Sequence, residues 1–259
     1  MKLDIHNHLG SNGANPGFDE TIDLVHSRLG DNSAFGIANS DDFRYENFIE
    51  QKGKYERIYL DNGRAVYVPE KKVLVIKTQE MFTKQGHILA IATPYHKNVK
   101  SKDAKDAIKE AKDLGAILDA VHPFYFQGIG TFLSANENLL TQFSSYEVYN
   151  GTAGLYLPVI FPKGANKKAM DFYFENILVN PELNVGISSA TDGHTAEVIG
   201  KCYTELPLNH LSIINFKENL DKALRQVKSL ENLHKEPNKK DAAIHVAKMI
   251  LVKLGLRKD

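Results

Sequence analysis

Strands alternating with helices along 259 residues predict an α/β protein with a largely parallel sheet. Three observations carry this reading. Short apolar runs of period two recur between segments of helical period. Glycine, asparagine or proline punctuates the junctions. Several of the runs deliver a histidine or an acid at one end. The length suffices to bury a large core within one domain, and 42% hydrophobic with 25% charged residues is the composition of a soluble globular protein.

Leu3 and Ile5 alternate with Asp4 and His6, a short strand that ends where the histidines emerge. A loop rich in glycine and asparagine, Gly10 to Gly17, leads to a helix over Phe18 to Leu29. Ile22, Val25 and Leu29 share one face of that helix and Gly30 stops it. Phe35–Asn39 reads as a second strand. Glu50 to Lys72 is the least regular stretch, an insertion or a lid. Strands follow at Ala65–Val68, Lys72–Thr78 and His87–Ile91, the last two joined by a turn at Lys84-Gln85-Gly86. Ser101 is the expected N-cap of a helix through Asp113, with Gly115 at its end. Ala116–Val121 is a strand delivering His122, and Tyr146–Tyr149 another, closed by Asn150-Gly151. A helix over Asn166–Val179 precedes the strand Val185–Ser189, which delivers Thr191-Asp192-Gly193-His194. Phe216–Val227 is an amphipathic helix, Lys235–Lys240 a polar linker, and Asp241–Leu256 a final helix with Ile244, Ala247, Ile250, Leu251 and Leu254 on one stripe.

Composition narrows the functional classes. Lysine plus arginine equals aspartate plus glutamate, at 32 each, so no net field draws the chain to nucleic acid or acidic membranes. A single cysteine, Cys202, rules out an intramolecular disulfide and fits a reducing compartment. The segment MKLDIHNHLG lacks the apolar region of a signal peptide, and no stretch approaches the ~20 apolar residues of a membrane span. The expected location is the cytoplasm. No segment marks a protein partner, and the oligomeric state is not legible.

The chemistry gathers at strand edges: His6 and His8, Glu80, His87, His122, then Asp192 and His194. In an α/β barrel the C-terminal strand ends line the active site, although His87 begins its strand. Two histidines spaced by one residue on a strand face the same way and can share a cation. Neutral imidazoles with carboxylates suit Zn, Mn or Fe(II) and argue against Mg or Ca alone. A carboxylate such as Glu80 can bridge two cations ~3.5–4 Å apart, and such a pair activates a water as nucleophile. Consistently, the sequence holds no nucleophile elbow, Walker loop or dinucleotide fingerprint. Taken singly, each residue has a bland reading: a core or surface histidine, a solvated glutamate, a turn. The conjunction at successive strand edges carries the metal-site reading. His26, His210, His234 and His245, in or near helices, read as ordinary, His96 as a loop residue near the site, and Cys202, on an apolar strand, as a small core residue.

In this order the segments Asp4-Ile5-His6-Asn7-His8, Glu80 with Gly86-His87-Ile88-Leu89-Ala90, Val121-His122-Pro123, Glu147-Val148-Tyr149-Asn150 and Ser189-Ala190-Thr191-Asp192-Gly193-His194 resemble the PHP family, the polymerase and histidinol phosphatase domain. The resemblance runs from residue 3 to about 205. It implies a distorted (β/α)7 barrel over residues 1–234, followed by the polar linker and a C-terminal helix packed on the barrel over 235–259. It also implies two or three divalent cations (Zn, Mn or Fe) and hydrolysis of a phosphomonoester or phosphodiester by metal-activated water. By position, His6, His8, Glu80 and Asp192 would hold the first cation, Glu80, His87 and His122 the second, and His194 would belong to a third. Glu80, Asp192 and His194 would be the catalytic set. The third site departs from the family pattern. Ser11-Asn12-Gly13 stands where Ser-Asp-Gly is usual, and Ser40-Asp41-Asp42 where Thr-Asp-His is usual, so Asn12 and Asp42 replace an acid and a histidine. Asp42 remains a candidate ligand.

Arg44 and Lys163 are the candidate phosphate contacts. Without a strongly basic surface interleaved with aromatics, a small phosphorylated metabolite or short oligonucleotide is the expected substrate. Two alternatives stay open: an amidohydrolase or TatD-like metal hydrolase, and a degenerate PHP domain that binds metal without catalysis.

Overall fold

The computed structural model of the chain describes residues 1–11, 17–94, 102–154, 164–208 and 214–237, together with residues 240, 243, 244 and 247. In order come β1 (Lys2–Asp4), α1 (Phe18–Leu29), β2 (Ser33–Asn39), α2 (Arg44–Ile49), β3 (Ile58–Leu60), β4 (Ala65–Val68), β5 (Val73–Phe82), β6 (His87–Ile91), α3 (Ala104–Asp113), β7 (Ile117–Ala120), α4 (Gly130–Ser134), β8 (Ser145–Asn150), α5 (Ala165–Phe172), β9 (Gly186–Ala190), β10 (Cys202–Glu205), α6 (Phe216–Gln226) and β11 (Leu233–Lys235).

These strands form one sheet in the order β11-β10-β1-β2-β5-β6-β7-β8-β9, with β4 and then β3 branching from β5. The sheet curls until it nearly closes into a barrel. Beyond β1 and β9 the two ends meet: the Asp192 N–H donates to the His6 carbonyl at 2.8 Å and the His8 N–H to the Gly193 carbonyl at 2.6 Å, with Asn7 bridged to Gly193.

The sheet is mixed rather than largely parallel. β1–β2, β2–β5, β7–β8 and β8–β9 pair in parallel, but β5–β6, β6–β7 and β1–β10 are antiparallel. The turn at residues 83–86 is the reason: a link that short can only join antiparallel neighbours. The reversal also explains His87. Its register partner is Phe82 at the end of β5, so the start of β6 lies at the same rim as the end of β5.

Helix α1 has the expected bounds. Phe18, Ile22, Val25 and Leu29 are buried and join Phe35 and Ile37 of β2, Val73 and Val75 of β5, and Tyr45 and Phe48 of α2 in one apolar cluster. The alternate residues of the same strands, Ala34, Ala38, Leu74 and Ile76, belong to a second, larger cluster that also holds α3 and α6. Two helix and strand ends differ from expectation. Ser101 lies outside the described residues, and α3 is capped by Asp103, whose side chain accepts the Lys105 N–H. His234, expected in or near a helix, sits on β11 opposite Tyr203. The irregular stretch 50–72 is largely a hairpin, β3–β4. Ile58 and Tyr59 of β3 are both exposed, so the strand carried no alternation to read. The Lys235–Lys240 linker begins inside β11, and most of the expected final helix lies outside the described residues. Among the described residues no helix is long and apolar enough to cross a membrane.

β1 and β2 approach very closely at Gly36. A Cβ there would lie 2.0 Å from the Ile5 carbonyl oxygen, so only glycine lets β1 lie flat against β2 directly below His6. Gly36→Ala should therefore lower stability by about 1–3 kcal/mol or more, read as a lower urea midpoint at unchanged m-value.

Candidate metal centre

Seven side chains named from the sequence meet at the rim where the strands end. His6 and His8 follow β1, Glu80 lies near the end of β5, His87 begins β6, His122 follows β7, and Asp192 and His194 follow β9. His87 is partly buried and the other six are buried. Four overlapping triads have donor atoms within 4.8 Å of one another: His6/His8/Glu80, His6/His122/Asp192, His8/Asp192/His194 and Glu80/His87/His122.

Glu80 is the hub. Its Oε1 lies 2.8 Å from His87 Nδ1 and 3.0 Å from His122 Nε2, while Oε2 lies 3.2 Å from His8 Nε2. The Nε2 atoms of His6 and His8 are 3.0 Å apart, and Asp192 Oδ1 is 3.8 Å from the first and 3.6 Å from the second. The rings of His8 and His194 stack at 5.1 Å, and those of His6 and His122 at 5.7 Å.

The electrostatics suit cation binding. Burial keeps His6 well below its usual value and lowers His8 to about 4, so both imidazoles are neutral at pH 7 and have lone pairs to give. Burial pushes Glu80 upward, but the facing His87 and His8 and hydrogen bonds from His122 and His8 outweigh it and hold the carboxyl well below the usual range. His6 Nδ1 and His122 Nδ1 are buried without a hydrogen-bond partner. Packed imidazoles around ionised carboxylate fit the preferences of Zn, Mn or Fe(II).

Around these residues stands a second set to which sequence reasoning gave no role. Asp4 accepts from Thr191 N at 3.0 Å, Thr191 Oγ1 at 2.7 Å and Gly200 N at 2.7 Å. Glu147 Oε2 accepts from the His122 N–H. Asn150 reaches both Glu147 and Asp192. The signal for Asp4, Glu147 and Asn150 was present: a charged or amide residue inside an apolar strand must find a buried partner.

The remaining predicted residues fare differently. Asp42 is not in any of the triads: its carboxylate is held 2.7 Å from Arg44 Nε and accepts the Ser40 N–H at 3.0 Å. An arginine two residues along a tight turn is a nearer partner than the histidines. Arg44 does reach the site, with Nη1 3.0 Å from His8 Nδ1. Beside it opens a cavity of about 210 Å³ lined by Gly10, Asp42, Arg44, Asn47, Phe48 and Gln51. Asn12, His96 and Lys163 lie outside the described residues.

No family model and no curated protein matches the chain. Solved structures do. One is a two-domain protein containing a predicted PHP-like metal-dependent phosphoesterase from Bacteroides vulgatus ATCC 8482, similar at a TM-score of 0.50 and 20% identity over 86% of this chain and 63% of that one. The chain thus spans less than two thirds of that protein's length. Another is PsfC from Pseudomonas syringae PB-5123, at a TM-score of 0.59 and 13% identity over 99% of both chains. At these identities the likeness is one of fold, and the first of them shares the barrel that the sequence resemblance implies.

The buried histidines predict an acid-side loss of stability in the metal-free protein. His8 falls from 6.5 to about 4 on folding, so between those values the unfolded chain takes up a proton that the folded chain refuses. Its contribution is complete above pH ~6.5 and lost as pH falls toward ~4, by roughly 3 kcal/mol. Asp4 and Asp119, both raised to about 6 by burial, act with the opposite sign in that window. The single variant isolates the histidine: urea unfolding of His8→Asn with chelator, from pH 4.5 to 7.5, should lack the acid-side loss that the parent shows relative to it.

Proposed function

We propose that the chain is a metal-dependent phosphoesterase acting on a phosphomonoester or phosphodiester of a small metabolite or short oligonucleotide. The observation that carries this is Glu80, one oxygen of which faces His87 and His122 while the other faces His8. A carboxylate presented to two histidine sets is the arrangement a pair of cations needs. His6, His8, Glu80 and Asp192 would hold one cation and Glu80, His87 and His122 the other, with His194 beside His8 and Asp192. Divalent cations so held would lower the pKa of a water and neutralise the oxygens of a phosphoryl group.

The chain's own groups supply orientation. Arg44, fixed through Nε by Asp42, places guanidinium donors between His8 and the cavity, where they fit a phosphoryl oxygen. The cavity of about 210 Å³ would take the body of a small substrate, and sits below the ≈ 300 Å³ lower end for drug-sized ligands. An amidohydrolase-type centre with a modified lysine is not favoured. Lys77, on the same strand as Glu80, is buried against Glu46 at 2.6 Å instead.

The test is metal analysis of the purified protein with a hydrolysis assay on a generic aryl phosphate and an aryl phosphodiester. More than one equivalent of transition metal and turnover of at least one ester are expected. Glu80→Gln should lose metal and at least about 100-fold in rate, since even outer partners of metal ligands are worth 10–100-fold. Wild-type metal content and rate in that variant would remove the bridging role. Metal without turnover of either ester would favour the non-catalytic reading.

A further inference from the structure

β8 contributes no donor to the cluster, yet its end sits between the two strands that deliver His122 and Asp192. Asn150, the last residue of β8, is fully buried, and its carboxamide uses its whole hydrogen-bonding capacity of two donors and two acceptor sites. Its oxygen accepts the N–H groups of Thr152 at 3.0 Å and Ala153 at 2.9 Å. Its nitrogen donates to Glu147 Oε2 at 3.0 Å and to Asp192 Oδ2 at 3.3 Å. The Asn150 backbone is held in turn by the Asn166 side chain of α5, which accepts its N–H at 3.0 Å and donates to its carbonyl at 3.0 Å.

The two oxygens of Asp192 therefore have different surroundings. Oδ2 is turned toward the Asn150 amide, and Oδ1 toward His6 and His8. Thr152 Oγ1 donates to the Asp192 carbonyl at 2.9 Å, so residues at and just after the β8 end grip both the backbone and the side chain of Asp192. That residue adopts a left-handed φ of 53°, a conformation that neighbouring contacts must maintain in a residue with a side chain.

We infer that Asn150 is a positioning residue of the metal centre, whose amide fixes the Asp192 carboxylate so that one oxygen alone faces the cations. This rests on the metal-centre reading above. Asp192 belongs to the triads with His6/His122 and with His8/His194 but not to Glu80/His87/His122, to which Asn150 is linked only through Glu147 and the His122 backbone N–H, so loss of the Asn150 amide should act more on one cation than on the other.

Isothermal titration with Zn²⁺ and elemental analysis of Asn150→Ala and Asn150→Ser, each checked by thermal unfolding, test this. The serine variant keeps an oxygen able to accept from the following N–H groups, and so maintains the turn while removing the amide donors. Both variants should bind one equivalent about 10–100-fold more weakly and change the other by much less. Parental affinity for both equivalents in the serine variant would overturn the inference. So would weakening of both in parallel, which would mark Asn150 as a general structural residue. A parent that binds no Zn²⁺ would instead remove the metal-centre reading itself, and this inference with it.

Discussion

The carboxylate of Asp4 is the constraint on which the site depends. It lies on β1 two residues before His6, is fully buried, and takes hydrogen bonds from Thr191 and Gly200, nearly two hundred residues along the chain. Thr191 immediately precedes Asp192. One side chain thus ties the strand that brings the first histidine pair to the loop that brings Asp192 and His194, and closes the sheet where β1 and β9 meet. Burial raises Asp4 to about 6, and the hydrogen bonds from Gly200 and Thr191 act against that rise. A buried carboxylate with three donors is tolerable; the same group with one donor missing would carry a desolvation penalty of about 1–3 kcal/mol or more. The tie is therefore specific as well as strong, because only the register that presents Thr191 and Gly200 together satisfies it.

That the seven side chains would gather was legible because their order is a property of topology. In a barrel, side chains that meet at successive strand ends must appear in the sequence as widely spaced singles and pairs, as His6/His8, Glu80, His87, His122 and Asp192/His194 do. The oddity in that list, a histidine at a strand start, was itself evidence of an antiparallel neighbour, though period and spacing alone do not give strand direction. Helix α1 was legible down to its ends because it packs one clean apolar stripe on the sheet and carries glycine on either side. Helix α2 was not, since its six residues cannot show a period. Its place is set by tertiary contacts: Asn39 accepts the Tyr45 N–H, and Glu46 receives both Asn39 and the buried Lys77.

What the sequence concealed was mostly the layer behind the clustered histidines and acids. Asp42 is an acid in the segment that suggested a ligand, and its pairing with Arg44 at 2.7 Å depends on a turn that composition and period do not report. Asn150 looked like half of a turn. Both of its roles are real: its oxygen makes the turn and its nitrogen reaches Asp192. Sequence patterns report the first, because turns are local, and miss the second, because Asp192 is on another strand.

The hydrogen bonds within the cluster also set what cation binding must undo. Arginine has only donors, so the contact from Arg44 Nη1 makes His8 Nδ1 an acceptor and puts the ring's single proton on Nε2. There it faces Glu80 Oε2 at 3.2 Å, which accepts it. His8 is thus held in the tautomer whose Nε2 carries the proton. A cation on His8 Nε2 would require that proton on Nδ1, where Arg44 cannot accept it and Ser40 Oγ, 3.3 Å away, can. Arg44 and Ser40 therefore favour opposite tautomers of the same ring, and the balance between them is a property of the turn that carries Asp42. A substitution in the 40–44 segment would therefore shift the tautomer balance of His8 without replacing any of the seven clustered side chains.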